Sequence, residues 1–153
     1  MADTPLTEEE QQSRRAAVAG IMPTTPYLKG LGIVMEVFEP DHARIRLPFR
    51  EDLTNDGSVY HGGVIAAVLD VAAGFSVYLA VNKERMVKPD VSRFPEIGTI
   101  DLRVDYLRPG RGKYFVATGR VVRLGARVAV AHTEMENDAG ELIATGGAAY
   151  MVG

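Results

Sequence analysis

Cysteine is absent from this 153-residue chain, which removes a disulfide framework, a thiolate nucleophile and any cysteine-based metal site. Histidine is scarce. The three present, His42, His61 and His132, show neither metal-ligand nor triad spacing, and no G-x-S-x-G elbow occurs. No metal and no cofactor are expected. A strong charge of either sign is also missing: the net charge of -3 gives no global pull towards nucleic acid or an anionic membrane. The opening MADTPLTEEEQQSRR lacks the apolar stretch of a secretory signal, so a cytoplasmic location is expected. There is no internal repeat and no low-complexity tract.

Long apolar runs are limited to one, Val64 to Val81, and it carries Asp70 near its middle as well as Ser76 and Tyr78. A charge at mid-bilayer costs ~2.5–3.5 kcal/mol on insertion scales, so a helix buried in protein is the favoured reading and no membrane partner is expected. Hydrophobic residues make up 46% and charged residues 24%, an ordinary globular balance in a chain of one-domain length.

Thr7 and Glu10 have capping-box spacing, which predicts a short helix ending near Gly20. Pro23, Pro26 and Gly30 punctuate the next stretch, so residues 1–32 read as an N-terminal helical segment ahead of a single domain over 33–153. Ile33 to Phe38 and Ala43 to Phe49 read as strands about a Pro40-Asp41 corner. Turn residues over EDLTNDGSVYHGG lead into the apolar helix, from about His61 to Val81. Lys83 to Pro95 suits an exposed loop. Ile100, Leu102, Val104 and Tyr106 alternate with Asp101, Arg103 and Asp105, the period-2 mark of a half-buried strand. Tyr114 to Leu124, Val128 to Met135 and Leu142 to Val152 complete four strands, read as an antiparallel meander. The fold class is α+β: a long central apolar helix wrapped by a curled antiparallel sheet.

Asp70 is the first candidate for chemistry. Among Ala66, Val68, Leu69, Val71 and Ala73 its carboxylate is desolvated, and it has poor helix propensity, so something must compensate for it. Taken alone it reads more readily as a satisfied core aspartate, hydrogen-bonded to a neighbouring strand, than as a catalytic one. The second candidate is His61-Gly62-Gly63 at the helix start. Unpaired N–H groups there, with no Cβ in the way, suit an oxyanion hole; a plain tight turn is the blander account. Gly62 and Asp70 lie eight residues apart, ~12 Å along one helix, so a single carbonyl cannot touch both. If both act on one substrate, one comes from a second chain about a two-fold axis. A general-base role for His61 is less favoured than shaping the loop or touching substrate. The third feature is a run of six basic residues and no acidic one, from Arg108 to Arg127. Its clusters, Arg108 to Lys113 and Arg123 to Arg127, fall in glycine-containing turns that suit phosphates, or equally a protected sheet edge. They lie ~30 Å apart along the strand.

Asn55, then His61-Gly62-Gly63, then Asp70 closely resembles the signature of PaaI-type hotdog-fold acyl-CoA thioesterases. The likeness extends through Thr99-Ile-Asp101, Tyr106-Leu-Arg108-Pro109 and Arg123-Leu-Gly125-Ala-Arg127, over roughly Ile33 to Val152. It implies a hotdog fold and hydrolysis of acyl-CoA thioesters by a homodimer, with dimers of dimers a further expectation. It implies that Asp70 activates water or attacks the thioester, that the Gly62 N–H of the partner chain polarises the carbonyl, that Asn55 fixes the substrate-side loop and that Thr99 orients the water. His61, Gly63 and Tyr106 would contact substrate. The turns with Arg108, Gly110 and Arg111, and with Arg123, Gly125 and Arg127, would hold the nucleotide and pantetheine of CoA. The loop Lys83 to Gly98 is longer than the family pattern, which bears on acyl preference. A hotdog dehydratase or hydratase, which would pair a carboxylate with a catalytic histidine, and a non-catalytic acyl-CoA-binding protein are the alternatives.

Overall fold

The computed structural model describes residues 7–40, 42–82 and 97–153. Its elements in chain order are helices α1 (Glu8–Thr24) and α2 (Pro26–Leu31), strands β1 (Val34–Phe38) and β2 (His42–Pro48), a single 3-10 turn (Glu51–Leu53), helix α3 (Gly62–Val81), and strands β3 (Gly98–Tyr106), β4 (Tyr114–Leu124), β5 (Val128–Asn137) and β6 (Leu142–Met151). The Lys83–Pro95 loop and Asp41 of the Pro40-Asp41 corner lie outside the described residues.

The capping box at Thr7 forms as its spacing predicts. Thr7 N–H donates to Glu10 Oε2 at 2.8 Å and Glu10 N–H donates back to Thr7 Oγ1 at 3.2 Å. The helix does not end at Gly20 but runs on to Thr24, because Gly20 adopts no left-handed cap. Pro26 and Gly30, read as punctuation, instead belong to α2: proline stands in its first turn, and Gly32, at φ 69°, is the left-handed residue that closes it. Leu28 and Leu31 of α2 join the buried cluster around α3.

The six strands make one antiparallel sheet in the order β1-β2-β4-β5-β6-β3, and α3 lies against it. This is the hotdog arrangement, one long helix on an open curled sheet. Strands β4, β5 and β6 are a meander, but β3 pairs with β6 and not with β4, which corrects the four-strand meander. The N–H groups of Leu107 and Arg108 both donate to Ile143 O, so β3 ends against β6. Pro109-Gly110 then crosses beneath the start of α3, where Gly110 O accepts from Tyr60 N–H at 3.0 Å, and the chain resumes beside β2 at Tyr114.

α3 is long and apolar enough to cross a membrane by length and composition. Here Ile65, Val68, Leu69, Ala72, Phe75 and Leu79 are buried in the core with Ile45, Leu47, Phe115 and Met135 from the sheet. Such burial stabilises by about 25 cal/mol per Å² of apolar surface. The helix approaches most closely over Gly119 of β4, where a Cβ would stand 2.2 Å from Ala72 O and 2.8 Å from Ala73 N. Both are backbone atoms that cannot rotate away. Gly119→Ala should therefore destabilise by about 2 kcal/mol or more through overpacking. Thermal unfolding should show a Tm several degrees lower, and an unchanged Tm would mean that α3 does not rest on this strand.

Candidate active site

Two polar assemblies stand on α3. The first lies at its N-terminus. The preceding loop is held by Asp56, whose carboxylate accepts from Ser58 N–H (2.9 Å), Ser58 Oγ (2.9 Å) and Val59 N–H (3.0 Å). These donors, the Ser58 N–H foremost, hold its carboxyl below the usual carboxylate range. Asn55, exposed in the same loop, donates its N–H to Val59 O. His61 caps α3, its Nδ1 accepting from Gly63 N–H at 2.9 Å. That bond engages the Gly63 N–H. The Gly62 N–H has no acceptor among the described residues. Tyr106, on β3, donates its hydroxyl to Gly62 O at 2.8 Å and so fixes the glycine from the carbonyl side. A cavity of 380 Å³ opens there, lined by Tyr60, Gly62, Ile65, Tyr106, Arg108 and Gly110.

The second assembly surrounds Asp70, two turns further along. The carboxylate is half-buried and borders a cavity of 370 Å³ whose other walls include Tyr27 and Leu28 of α2, Val71 and Phe75 of α3, and Ile97. Thr99 Oγ1 donates to Asp70 Oδ1 at 3.0 Å. The Tyr150 hydroxyl lies 2.7 Å from Asp70 Oδ1 and 2.7 Å from Asp70 O, and its single proton serves both acceptors. Oδ2 has no partner among the described residues. Burial, and then the hydrogen bond to Asp70 and the charge it carries, push the Tyr150 phenol far above its ordinary range. Tyr150 is therefore a donor at any physiological pH.

Sheet register explains the convergence. Thr99 and Tyr150 are directly opposed across β3 and β6. The pairing shifts between Thr99 and Asp101, so a bulge at Ile100 takes that residue out of the alternating set and leaves it 57% exposed. Thr99, not Ile100, is in phase with Leu102 on the helix side. Bulges beside active sites re-aim side chains in this way.

The structure thus brings Thr99 to Asp70, and Tyr106, Arg108 and Gly110 to Gly62, with Asn55, His61 and Gly63 in and after the adjoining loop. It does not bring Gly62 to Asp70, which stay ~12 Å apart on one helix. Of the basic residues, Arg108 donates to Leu142 O at 2.8 Å and Arg111 to Ser58 Oγ at 2.9 Å, both at the Gly62 end. Arg123 and Arg127 are exposed around the β4–β5 turn, which lies at the Asp70 end because Val128 pairs with Met151, next to Tyr150. Two glycines in these turns are fixed by contact. A Cβ at Gly110 would press on Ile65 and Tyr60 at 3.2 Å, and one at Gly125 would meet Val128 O at 2.8 Å.

Sequence reasoning missed Tyr150, 80 residues from its acceptor. The available signal was β6 itself, where Ala144, Gly146, Ala148, Tyr150 and Val152 recur at period 2 and the tyrosine is the one polar side chain.

A long apolar helix on an open antiparallel sheet defines a hotdog-fold protein, and the hydrogen-bonded carboxylate mid-helix and the glycine amide at the helix start are its candidate reactive groups. A model of the thioesterase superfamily matches residues 57–144, more than half of the chain, and the chain belongs to that superfamily. The medium/long-chain acyl-CoA thioesterase YigI of Escherichia coli (strain K12) is 41% identical over 133 residues, covering 84% of this chain and 86% of that protein. A crystal structure of a Shewanella oneidensis protein related to the thioesterase superfamily superposes with a TM-score of 0.85 at 33% identity, covering 97% of this chain and 100% of that one. The E. coli PaaI protein from the phenylacetic acid degradation operon shares the fold, with a TM-score of 0.76 at 17% identity, over 93% and 94% of the two chains. The chain is an enzyme acting on thioester bonds.

Proposed function

We propose that this chain hydrolyses acyl-CoA thioesters to the free acid and CoA, at a site built by two copies. The observation that carries this is the Asp70 carboxylate, held through Oδ1 with Oδ2 unengaged, at the wall of a largely apolar 370 Å³ cavity. The acyl chain occupies that cavity, and the thioester carbon sits before Asp70. Asp70 acts on water as general base or attacks the carbonyl itself, and in either route the carbonyl oxygen gains negative charge. Gly62 N–H of the second copy takes up that charge at the positive end of α3. The named activity of the 41% identical relative, together with the apolar walls from Tyr27, Leu28, Val71 and Phe75, favours a medium- or long-chain acyl group.

The open edge of β3 supports the shared site. Among the described residues it pairs on one side only, with β6, and its Ile100 and Tyr106 are 57% and 53% exposed. Antiparallel pairing with a second β3 centred on Arg103 sets Leu102 against Val104 and, with Ile100 bulged out of the alternation, Thr99 against Tyr106 of the other copy. That juxtaposes the Asp70 end of one chain with the Gly62 end of the other. It also places the Arg123–Arg127 turn of one copy near Arg108 and Arg111 of the other, so basic turns that are remote within one chain face one ligand.

A dehydratase would call for a catalytic histidine beside the carboxylate. His61 is occupied as a helix cap, while His42 and His132 are in register with Arg120 on the other face of the sheet.

Asp70→Asn preserves volume and removes the negative charge, so kcat on decanoyl-CoA should fall at least ~100-fold while the fold is kept. A variant hydrolysing at near wild-type rate would assign Asp70 a structural role only. Replacing Arg123 and Arg127 together with Ala should raise KM for acyl-CoA with kcat little changed, and high salt should narrow the difference. Equal KM values would leave these arginines as edge protection.

The shared site is tested by complementation. Gly62→Pro lacks the N–H yet suits the first helical position, and the preceding His61, at φ -60° and ψ 135°, already has the conformation a following proline requires. Gly62→Pro and Asp70→Asn homodimers should each be inactive. Co-refolded in equal amounts, half of the dimers are mixed, each with one intact site, so about a quarter of wild-type activity should return. Verified mixed dimers that stay inactive would rule the shared site out.

A further inference from the structure

Tyr150 is a hydrogen-bond partner of Asp70 that neither the family signature nor the proposed mechanism employs. It is 3% exposed and reaches from β6 to the middle of α3, where its hydroxyl stands 2.7 Å from Asp70 Oδ1. Directly across the β3–β6 pairing, Thr99 donates to the same oxygen at 3.0 Å. Two donors on one carboxylate oxygen are an asymmetric arrangement. They fix the rotation of the carboxylate about its side chain, and they draw charge towards Oδ1 and away from Oδ2.

We propose that Tyr150 is a positioning residue for thioester hydrolysis, which with Thr99 anchors Asp70 Oδ1 and so makes Oδ2 the oxygen that works on the substrate. This rests on Asp70 being the working carboxylate. The phenol suits the task because it carries no charge of its own and donates a bond that a charged acceptor strengthens. Its second contact, 2.7 Å to Asp70 O, anchors the same proton to the helix backbone, so the carboxylate is referenced to α3 and not only to a mobile hydroxyl. Thr99 is exposed where Tyr150 is buried. Water or substrate can compete for the threonine hydroxyl, whereas the tyrosine hydroxyl keeps its acceptor. Supporting side chains of this kind hold a reactive group in its productive geometry.

Tyr150→Phe keeps the ring that fills the core and removes only the hydroxyl. With decanoyl-CoA as probe, kcat should fall about tenfold or more, the scale of one hydrogen bond to a charged group, while KM stays within about twofold. Removing a donor disfavours the charged form of a carboxylate, so the acid limb of the kcat–pH profile should move to higher pH. Loss of packing alone would lower the active fraction without moving that limb. An unmoved limb with kcat within twofold of wild type overturns the proposal. Should the Phe variant fail to fold by circular dichroism, 3-fluorotyrosine at position 150 keeps the shape and strengthens the donor. The acid limb should then move to lower pH, and an unmoved limb again overturns the proposal.

The bond itself is readable without turnover. The Tyr150 phenolic proton should give a slowly exchanging downfield NMR signal in the wild type that shifts upfield in Asp70→Asn. If that response is seen but no acyl-CoA is hydrolysed, the functional reading fails and the catalytic part of this inference falls with it. If acyl-CoA is hydrolysed but the signal ignores Asp70→Asn, the inference on Tyr150 alone fails.

Discussion

The site depends on how one carboxylate is held on a helix that is otherwise apolar. An aspartate in the middle of α3 needs donors, and the helix cannot supply them, since its own N–H groups are spent on the i−4 carbonyls. They come instead from neighbouring strands that reach Asp70 together, through Thr99 on β3 and Tyr150 on β6. Both the crossover that brings β3 beside β6 and the bulge at Ile100 serve that convergence. Without the bulge, Ile100 would be in phase with Leu102 and an apolar side chain would meet the carboxylate.

Close contact of helix and sheet is the second requirement, because short hydroxyl side chains reach the helix only if the sheet lies near it. Small residues provide this. Gly119 on β4 touches the Ala72 backbone, Ala129 and Ala131 on β5 are fully buried, and Ala148 on β6 lies beneath the same turn of the helix. Tyr150 is the large residue on this strip, and Asp70 lies where it reaches α3.

Much of this was legible in the sequence. The limits of α3 and of most strands follow from apolar periodicity and from glycine and proline punctuation, and Asp70 and Gly62 stand out by type and spacing, while Thr99 is marked by the family resemblance alone. What failed had local causes. Pro26 and Gly30 look like breakers, but a proline is welcome in a helix's first turn, and the stop is supplied by Gly32. Pro109-Gly110 looks like a hairpin turn, yet the preceding N–H groups are already committed to Ile143 O, so the chain crosses instead of folding back. Tyr150 was hidden because its role is set by register: nothing within ten residues of it marks a partner 80 positions away.

The proposed two-copy site assigns β3 a double duty. Its first residues carry Thr99 to Asp70, its last carries Tyr106 to Gly62, and the stretch between is the open edge that would pair with a second copy. Since α3 keeps the carboxylate and the free amide ~12 Å apart, no adjustment within one chain can bring both to one carbonyl. Activity in that arrangement is tied to association through the same nine residues that shape both half-sites. A substitution on the β3 edge should then act on pairing and on chemistry together. In the proposed arrangement phosphate recognition would be drawn into the same coupling, because the two basic turns lie at opposite ends of the chain's sheet and would meet only with two sheets joined.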